Sequence, residues 1–133
     1  MYRDVKRFPY VITAFNGRIT ALAIETGKVA WGVKLDIEGG VVQLHVDEHR
    51  VVALGIGELA IIEYATGKVL ASHEIGGTLL VDGDTAFVSS NGVLTAIDLA
   101  TAKRRWTNEL KGTGYGAAAI ATPNRAVQAQ LGG

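Results

Sequence analysis

The sequence predicts an all-β protein on three observations: an internal repeat, short runs of strand-forming residues within each copy, and turn residues between those runs. Residues 26–29 read TGKV, residues 66–69 repeat the same letters, and residues 101–103 give a looser third copy, TAK. The period of about 40 residues, falling to about 35 for the third copy, is the length of a four-stranded propeller blade. We therefore predict a partial β-propeller of about three and a half four-stranded blades.

The second copy shows the four strands of one blade most clearly. We predict its strands A to D at residues 41–46, 51–54, 59–64 and 69–75. Strands B and C are almost continuously apolar, as expected for strands covered on both faces, whereas strand D alternates like a half-solvated outer strand. In the first copy, the residues predicted to share the inner face of strand D are Val29, Trp31, Val33, Leu35 and Ile37. In the third copy they are Arg104, Trp106, Asn108 and Leu110.

The repeat register divides a single predicted domain into three full blades and one partial blade. We place the blades at about residues 1–38, 39–76 and 77–112, and the partial blade at 113–133. The partial blade aligns with strands A and B of the second copy. A short helix over residues 125–131 is the alternative, because Thr122 and Pro123 suit a helix start. We favour strands because the repeat register predicts them.

An open array of three and a half blades leaves an apolar face at each end, and we expect a partner chain to cover these faces. The expected partner is a second copy in a dimer that closes a ring, a larger homo-oligomer, or another protein subunit. The residues that we predict at this subunit interface are Ala117, Ile120, Val127 and Leu131.

Two segments carry a family resemblance: residues 21–31 read ALAIETGKVAW and residues 96–106 read AIDLATAKRRW. They resemble the tryptophan-docking repeat of quinoprotein-type, or PQQ-like, β-propellers. The resemblance implies that each Trp packs between adjacent blades and that Thr-Gly forms the turn between strands C and D. It assigns docking roles to Ala21, Gly27, Trp31, Gly67, Ala96, Asp98 and Trp106. Ala71 replaces the Trp in the second copy, so that blade is expected to dock less tightly.

Composition narrows the classes of function. Thirteen basic and 13 acidic residues give no net charge, which argues against nucleic acid as a general partner. The absence of cysteine removes disulfides, thiolate metal sites and a lipid-anchor acceptor. No signal peptide is recognised at the start, and no apolar run approaches the roughly 20 residues of a membrane span. We therefore expect a cytoplasmic protein, or one assembled into a particle, without membrane contact.

Few residues suggest chemistry. His45 and His49 flank two carboxylates and are weak candidates for a metal site, but they fall on a predicted turn where polar residues are ordinary. His73 is better explained as a structural histidine, and the run at 103–105 as a charged outer strand. The glycine-rich segments lack the strand-loop-helix context of phosphate sites. Because no nucleophile is paired with a base, we expect no enzymatic activity and no cofactor.

The leading functional hypothesis is a non-enzymatic structural or protein-interaction module that acts as an oligomeric scaffold. A virion component is one context that fits the missing signal peptide and cysteine. The alternative is a propeller that binds a sugar or another small ligand, and the third is a scaffold of the outer-membrane assembly type.

Overall fold

The computed structural model describes residues 9–37, 40–111 and 119–127 of the chain. Every regular element within these ranges is a β-strand, and all strand pairs are antiparallel, which confirms the all-β prediction. The chain divides into two compact units, Met1–His73 and Glu74–Gly133. No helix of the described residues is long and apolar enough to cross a membrane.

The first unit contains two meandering sheets, in which strands that follow one another in sequence are hydrogen-bonded neighbours. The strands of the first sheet are β1 (Tyr10–Phe15), β2 (Arg18–Ala23) and β3 (Val29–Lys34). The strands of the second sheet are β4 (Val41–Val46), β5 (Arg50–Gly55), β6 (Leu59–Glu63) and β7 (Val69–His73). In the repeat register, β1 to β3 correspond to strands B, C and D of the second sheet.

The second unit contains one four-stranded meander and a short hairpin. The meander consists of β8 (Thr78–Asp82), β9 (Thr85–Ser90), β10 (Val93–Asp98) and β11 (Lys103–Asn108). The hairpin pairs β12 (Ile120–Ala121) with β13 (Ala126–Val127). Strands therefore stand where the repeat register predicts them, and the helical alternative is wrong at Ala126–Val127. Residues 128–131 of that predicted helix lie outside the described residues.

Packing between the two sheets of the first unit forms a hydrophobic core. Its buried members are Ile19, Leu35, Ile37, Val51, Ala53, Ala60, Ile62 and Tyr64. Strand β5 is buried on both faces, since the four consecutive residues from Val51 to Leu54 are each 0% exposed. This burial explains why strands B and C of the second copy read as continuous apolar runs.

A β-bulge interrupts each outer strand at the same place. In the first sheet Ala21 pairs with Trp31 and Leu22 pairs with Val29, so that Ala30 is the extra residue. Leu70 and Arg105 are the extra residues of the second and third sheets. A bulge inserts one residue against a regular partner and reverses the side-chain alternation beyond it.

The bulges correct the predicted inner faces of strand D. Val29 does not share a face with Trp31 and is exposed, because the extra residue lies between them. Arg104 is likewise displaced from the face of Trp106, and all six residues of β11 are exposed. The simple alternation therefore holds only on the C-terminal side of each bulge.

Candidate interaction surfaces

The two sheets of the first unit are joined by a tryptophan. Trp31, on β3, lies against the turn between β6 and β7, where its Nε1–H donates a hydrogen bond to the carbonyl oxygen of Tyr64 at 2.9 Å. A Cβ atom placed on Gly67 would lie 2.5 Å from Cε3 of the indole, so only glycine leaves room for the ring. Gly67 also has φ of +80°, a backbone conformation that is unfavourable for residues other than glycine. Both constraints explain the Thr-Gly sequence of this turn.

We call this turn the filled docking turn (residues 63–68). Hydrogen bonds among its own residues stabilise its conformation. Glu63 N–H donates to the Lys68 carbonyl at 2.8 Å, and Gly67 N–H donates to the Glu63 carbonyl at 2.9 Å. The Thr66 hydroxyl accepts from the Lys68 N–H at 3.2 Å. The turn is thus closed by hydrogen bonds among its own residues, none of which involves the indole.

A tyrosine pair provides a second link between the same sheets. The Tyr64 hydroxyl accepts a hydrogen bond from the Tyr10 N–H at 2.7 Å and donates one to the Tyr10 carbonyl at 2.9 Å. The two rings also touch, with centroids 5.4 Å apart. Burial of the Tyr64 hydroxyl raises its pKa above the ordinary value. Sequence reasoning missed this pair, because residues 54 positions apart in different repeats share no local pattern.

The first repeat contains an equivalent turn that no described residue fills. This open docking turn (residues 23–28) has the same bonds: Ala23 N–H to Lys28 carbonyl at 2.8 Å, and Gly27 N–H to Ala23 carbonyl at 2.8 Å. Gly27 has φ of +75°, close to that of Gly67. No described atom outside its own neighbours lies within 4 Å of a Cβ placed on Gly27. The turn therefore has the shape of the filled one without an indole on it.

The third repeat presents a tryptophan without a docking turn. Trp106 remains 47% exposed, and its indole contacts Phe87 with ring centroids 6.2 Å apart. No described residue accepts a hydrogen bond from its Nε1–H. The packing of both Trp residues between blades was predicted from the family pattern. The described structure shows such a contact at Trp31, whereas Trp106 lies at an open surface.

The remaining docking residues stabilise the sheets locally. Ala21 and Ala96 are buried opposite Trp31 and Trp106, where a larger side chain would crowd the indole. The Asp98 carboxylate accepts hydrogen bonds from the N–H groups of Ala100 and Thr101 at 2.9 and 3.4 Å and so closes the turn before β11. In this turn the glycine position holds Ala102, at φ of +63°.

The first sheet has one covered and one open face. Tyr10, Ile12 and Ala14 pack on the core of the first unit, whereas Val11 and Phe15 point the other way and are exposed, Phe15 to 74%. In addition, β1 pairs only with β2 within the described residues, so its other edge has no described neighbouring strand and is bonded at Tyr10 to the Tyr64 hydroxyl. An open apolar face beside such an edge is a surface suited to a protein partner.

Two of the four predicted interface residues lie in the described hairpin, and two do not. Ile120 is half-buried and pairs with Val127, while Ala117 and Leu131 lie outside the described residues. The hairpin is attached to β8 by the Thr122 hydroxyl, which donates to the Asp82 carboxylate at 2.6 Å. The hairpin is therefore held at its turn.

The histidine cluster forms a turn, as its sequence position suggested. Asp47 Oδ1 accepts from the N–H groups of His49 and Arg50 at 2.8 and 2.9 Å, and its Oδ2 lies 3.3 Å from His45 Nε2. Burial alone would raise the pKa of Asp47, but these bonds and the charge of Arg50 outweigh it and lower that pKa. His49 lies instead beside Glu48, at 3.2 Å. Among the described residues no three potential ligands are grouped to hold a metal ion.

A cleft opens beside this turn. It has a volume of about 500 Å³ and is lined by Tyr10, Val11, Ile12, Ile24, Val46, Asp47 and Tyr64. Its walls are mostly apolar, and the Tyr64 hydroxyl and Asp47 Oδ1 already take part in internal hydrogen bonds. His73, the other candidate histidine, is half-buried at the end of β7.

Similar solved structures are β-propellers, which confirms the predicted partial propeller. BamB from Moraxella catarrhalis is 19% identical with a TM-score of 0.64, over 75% of this chain and 33% of that chain. The WD40 repeats of RRP9 are 12% identical with a TM-score of 0.68, over 84% of this chain and 38% of that one. The designed protein Ika8 is 17% identical with a TM-score of 0.69, over 97% and 41%. The chain thus spans only 33 to 41% of these three structures.

Sequence comparison narrows the fold to a family, as the docking repeat predicted. No curated protein sequence matches the chain. The family model for the outer membrane protein assembly factor BamB, however, matches residues 15–131, which is most of the chain. This chain therefore belongs to the BamB family of PQQ-like β-propeller proteins.

Proposed function

We propose that the chain is a non-enzymatic protein-interaction module that acts as an oligomeric scaffold. One observation carries this proposal: the first and third sheets each keep large apolar side chains exposed, at Val11 and Phe15 in the first sheet and at Trp106 in the third. The central strands β5 and β6 of the second sheet, by contrast, are buried almost throughout. Exposed apolar faces on repeated blades are stabilised by a further blade, and a partner chain is the source of one.

The hairpin of the second unit suggests how a second copy attaches. In the repeat register, β12 corresponds to strand A, and the described part of the first sheet contains only strands B, C and D. Strand β12 shares two residue pairs with β13, whereas β1 has six residues and an edge that no described strand covers, with the Tyr10 N–H and carbonyl bonded to the Tyr64 hydroxyl. Exchange of β13 for the β1 of a second copy would therefore give the first sheet its inner strand. Ile120 lies at this junction.

Family membership also supports a biological context. The family is named for a factor that assembles outer membrane proteins, so a scaffold of the outer-membrane assembly type is the context that we favour. A virion component, which the sequence alone suggested, has no observation of the fold in its favour. Neither context requires a catalytic group, and the surfaces described above are suited to packing against proteins.

Native mass spectrometry and sedimentation of the full chain across a concentration series test the proposal. We expect dimers or larger assemblies at micromolar concentration, and we expect Ile120→Asp to weaken them because a carboxylate would enter the strand junction. Ile56→Asp is the matched control, since Ile56 is an exposed apolar residue of a turn. A folded full-length monomer at every concentration would contradict the proposal.

The cleft favours a second candidate, the binding of a small ligand. Its mostly apolar walls and two tyrosine rings suit a compact ligand with a largely apolar body. A panel of sugars and metabolites should then raise the unfolding temperature of the protein, and Val46→Trp, which narrows the cleft, should abolish that rise. If no compound on the panel shifts the transition, the scaffold proposal stands without this activity.

A further inference from the structure

We infer that Trp106 of one copy docks on the open docking turn of a second copy, in a head-to-tail contact. The inference rests on the proposed function, in that it names one contact of the proposed assembly. It uses the first unit as its template, where Trp31 fills the docking turn at Gly67. The described chain leaves one such turn empty, at Gly27, and one such indole uncovered, at Trp106.

The open turn is preformed for an indole. Its backbone bonds match those of the filled turn, and in both turns the threonine hydroxyl accepts from the lysine N–H at 3.2 Å. The carbonyl of Ile24 stands where the filled turn has the Tyr64 carbonyl that binds the Trp31 indole. No described residue donates a hydrogen bond to that Ile24 carbonyl. Docking would therefore require no rearrangement of the turn.

Trp106 is presented in the same way as Trp31. Each indole is paired with a buried alanine of the neighbouring strand, and each follows a bulge that places the side chain on the sheet face. The contact with Phe87 holds the Trp106 ring at that face. A large aromatic side chain in a fixed position, with an N–H donor that no described residue engages, is typical of a residue that dominates a protein interface.

Charges favour this chain itself as the partner. The uncovered indole has Arg104 and Arg105 before it, where Trp31 has Val29 and Ala30. The open docking turn carries an exposed Glu25, where the filled turn has Ala65. Arg105 already lies 3.5 Å from the Asp98 carboxylate of its own chain, so Arg104, whose exposed guanidinium donates to the Glu74 carbonyl at 3.0 Å, is the cation that would face Glu25 at the rim of the intermolecular contact. Such rim charges steer association and select partners, and they make it weaker at high salt.

The contact between Trp31 and the second sheet also indicates where the second copy would lie, if Trp106 docks in the same way. Its β1 would stand beside β12, as in the strand exchange proposed above, so that the Trp106 contact and the exchanged strand would belong to one interface. A head-to-tail interface uses two different surfaces of the chain, one on each copy. This asymmetry allows a test in which each surface is removed separately.

The test combines two variants of the full chain, monitored by sedimentation equilibrium. Trp106→Ala removes the indole, and Gly27→Asn adds a side chain to the open turn in a residue that tolerates its backbone conformation. Each should raise the dissociation constant by at least about 30-fold, the effect of losing a central interface residue. Gly83→Asn is the matched control, because Gly83 has φ of +59° and open space in a turn outside the contact.

An equimolar mixture of the two variants provides the decisive result. The Trp106→Ala copy keeps its docking turn and the Gly27→Asn copy keeps its indole, so the mixture should associate at concentrations at which each variant alone is monomeric. Salt at about 1 M, where the screening length is about 3 Å, should weaken wild-type association. A mixture that remains monomeric, or variants that assemble like the wild type, would overturn the contact while the proposed function stands. A wild-type chain that is always monomeric would contradict both.

Discussion

The two tryptophans of the repeat have the same local setting and different surroundings. Trp31 follows a bulge, faces a buried alanine and donates to a backbone carbonyl of the next sheet. Trp106 follows the same bulge and faces an equivalent alanine, but it remains 47% exposed. The comparison teaches that the repeat encodes how an indole is presented, whereas its burial depends on whether another sheet supplies a docking turn.

Removal of each indole should expose this difference most strongly. We expect Trp31→Ala to lower the free energy of unfolding by about 3 kcal/mol or more, because it leaves a cavity between two packed sheets. Trp106→Ala should lower it by less than about 1 kcal/mol when the protein is dilute enough to be monomeric. Urea denaturation at low protein concentration measures both values. Equal losses would show that Trp106 is buried in the monomer and would remove the contrast.

The two docking-turn glycines allow a closely matched comparison. Gly67→Ala and Gly27→Ala both place a side chain at positive φ, which costs roughly 1 to 2 kcal/mol. Only at Gly67 would the new Cβ also collide with an indole, 2.5 Å away. We therefore expect Gly67→Ala to be the more destabilising by about 1 kcal/mol or more in urea denaturation. The same loss at both positions would mean that Trp31 moves aside without cost.

The tyrosine pair sharpens the comparison, because the first unit has this second link. Tyr64→Phe removes the hydroxyl that binds both the N–H and the carbonyl of Tyr10, and it should cost about 1 to 2 kcal/mol. Tyr10→Phe is the control, since it keeps the ring contact and removes a hydroxyl with no described partner. Thermal unfolding of the two variants separates the hydrogen bonds from the ring packing. A larger effect at Tyr10 would contradict this assignment.

The smallest expected effect concerns the turn between strands A and B of a blade. Asp47 closes its turn with a carboxylate, whereas Thr122, at the same repeat position, uses a hydroxyl. Because the folded pKa of Asp47 lies below its ordinary value of 3.8, its stabilising contribution is complete above that pH and is lost as the pH falls through the lower folded value.

Asp47→Asn tests this pH dependence, because the amide oxygen still accepts the two backbone hydrogen bonds but does not titrate. The wild type should lose more stability than this variant between neutral pH and a pH below the folded pKa of Asp47. Urea denaturation at the two pH values gives the difference. Identical acid sensitivity would assign the effect to other carboxylates.

Local sequence predicted the strands well, because strand-forming runs, turn glycines and the repeat register all act over a few residues. Gly67 and Trp31 were recognised from their spacing within a family pattern, and the pattern also states what each does. The inner faces were predicted less well. A bulge such as that at Ala30 leaves the order of residue types unchanged, so strict alternation placed Val29 on the wrong face.

Contacts between repeats could not be predicted from the local sequence pattern. Nothing near Tyr64 in sequence indicates that its hydroxyl meets the backbone of Tyr10, since folding alone brings the two together. In the same way, the letters around Trp106 predict a docking residue, and its exposure follows from the absence of a docking turn in the described surroundings. The position of an indole on its own sheet depends on nearby residues, whereas its burial depends on residues that are distant in sequence.

The bulge shared by the three outer strands has a consequence for how the protein behaves in a crowded solution. An outer strand with regular backbone geometry would act as a template on which other chains could add strands without limit, the route to fibrous aggregates. The extra residues Ala30, Leu70 and Arg105 interrupt the row of backbone donors and acceptors and increase the local twist. Each of these three strands is thereby made a poor site for strand addition, which lowers the tendency of the protein to form fibrous aggregates.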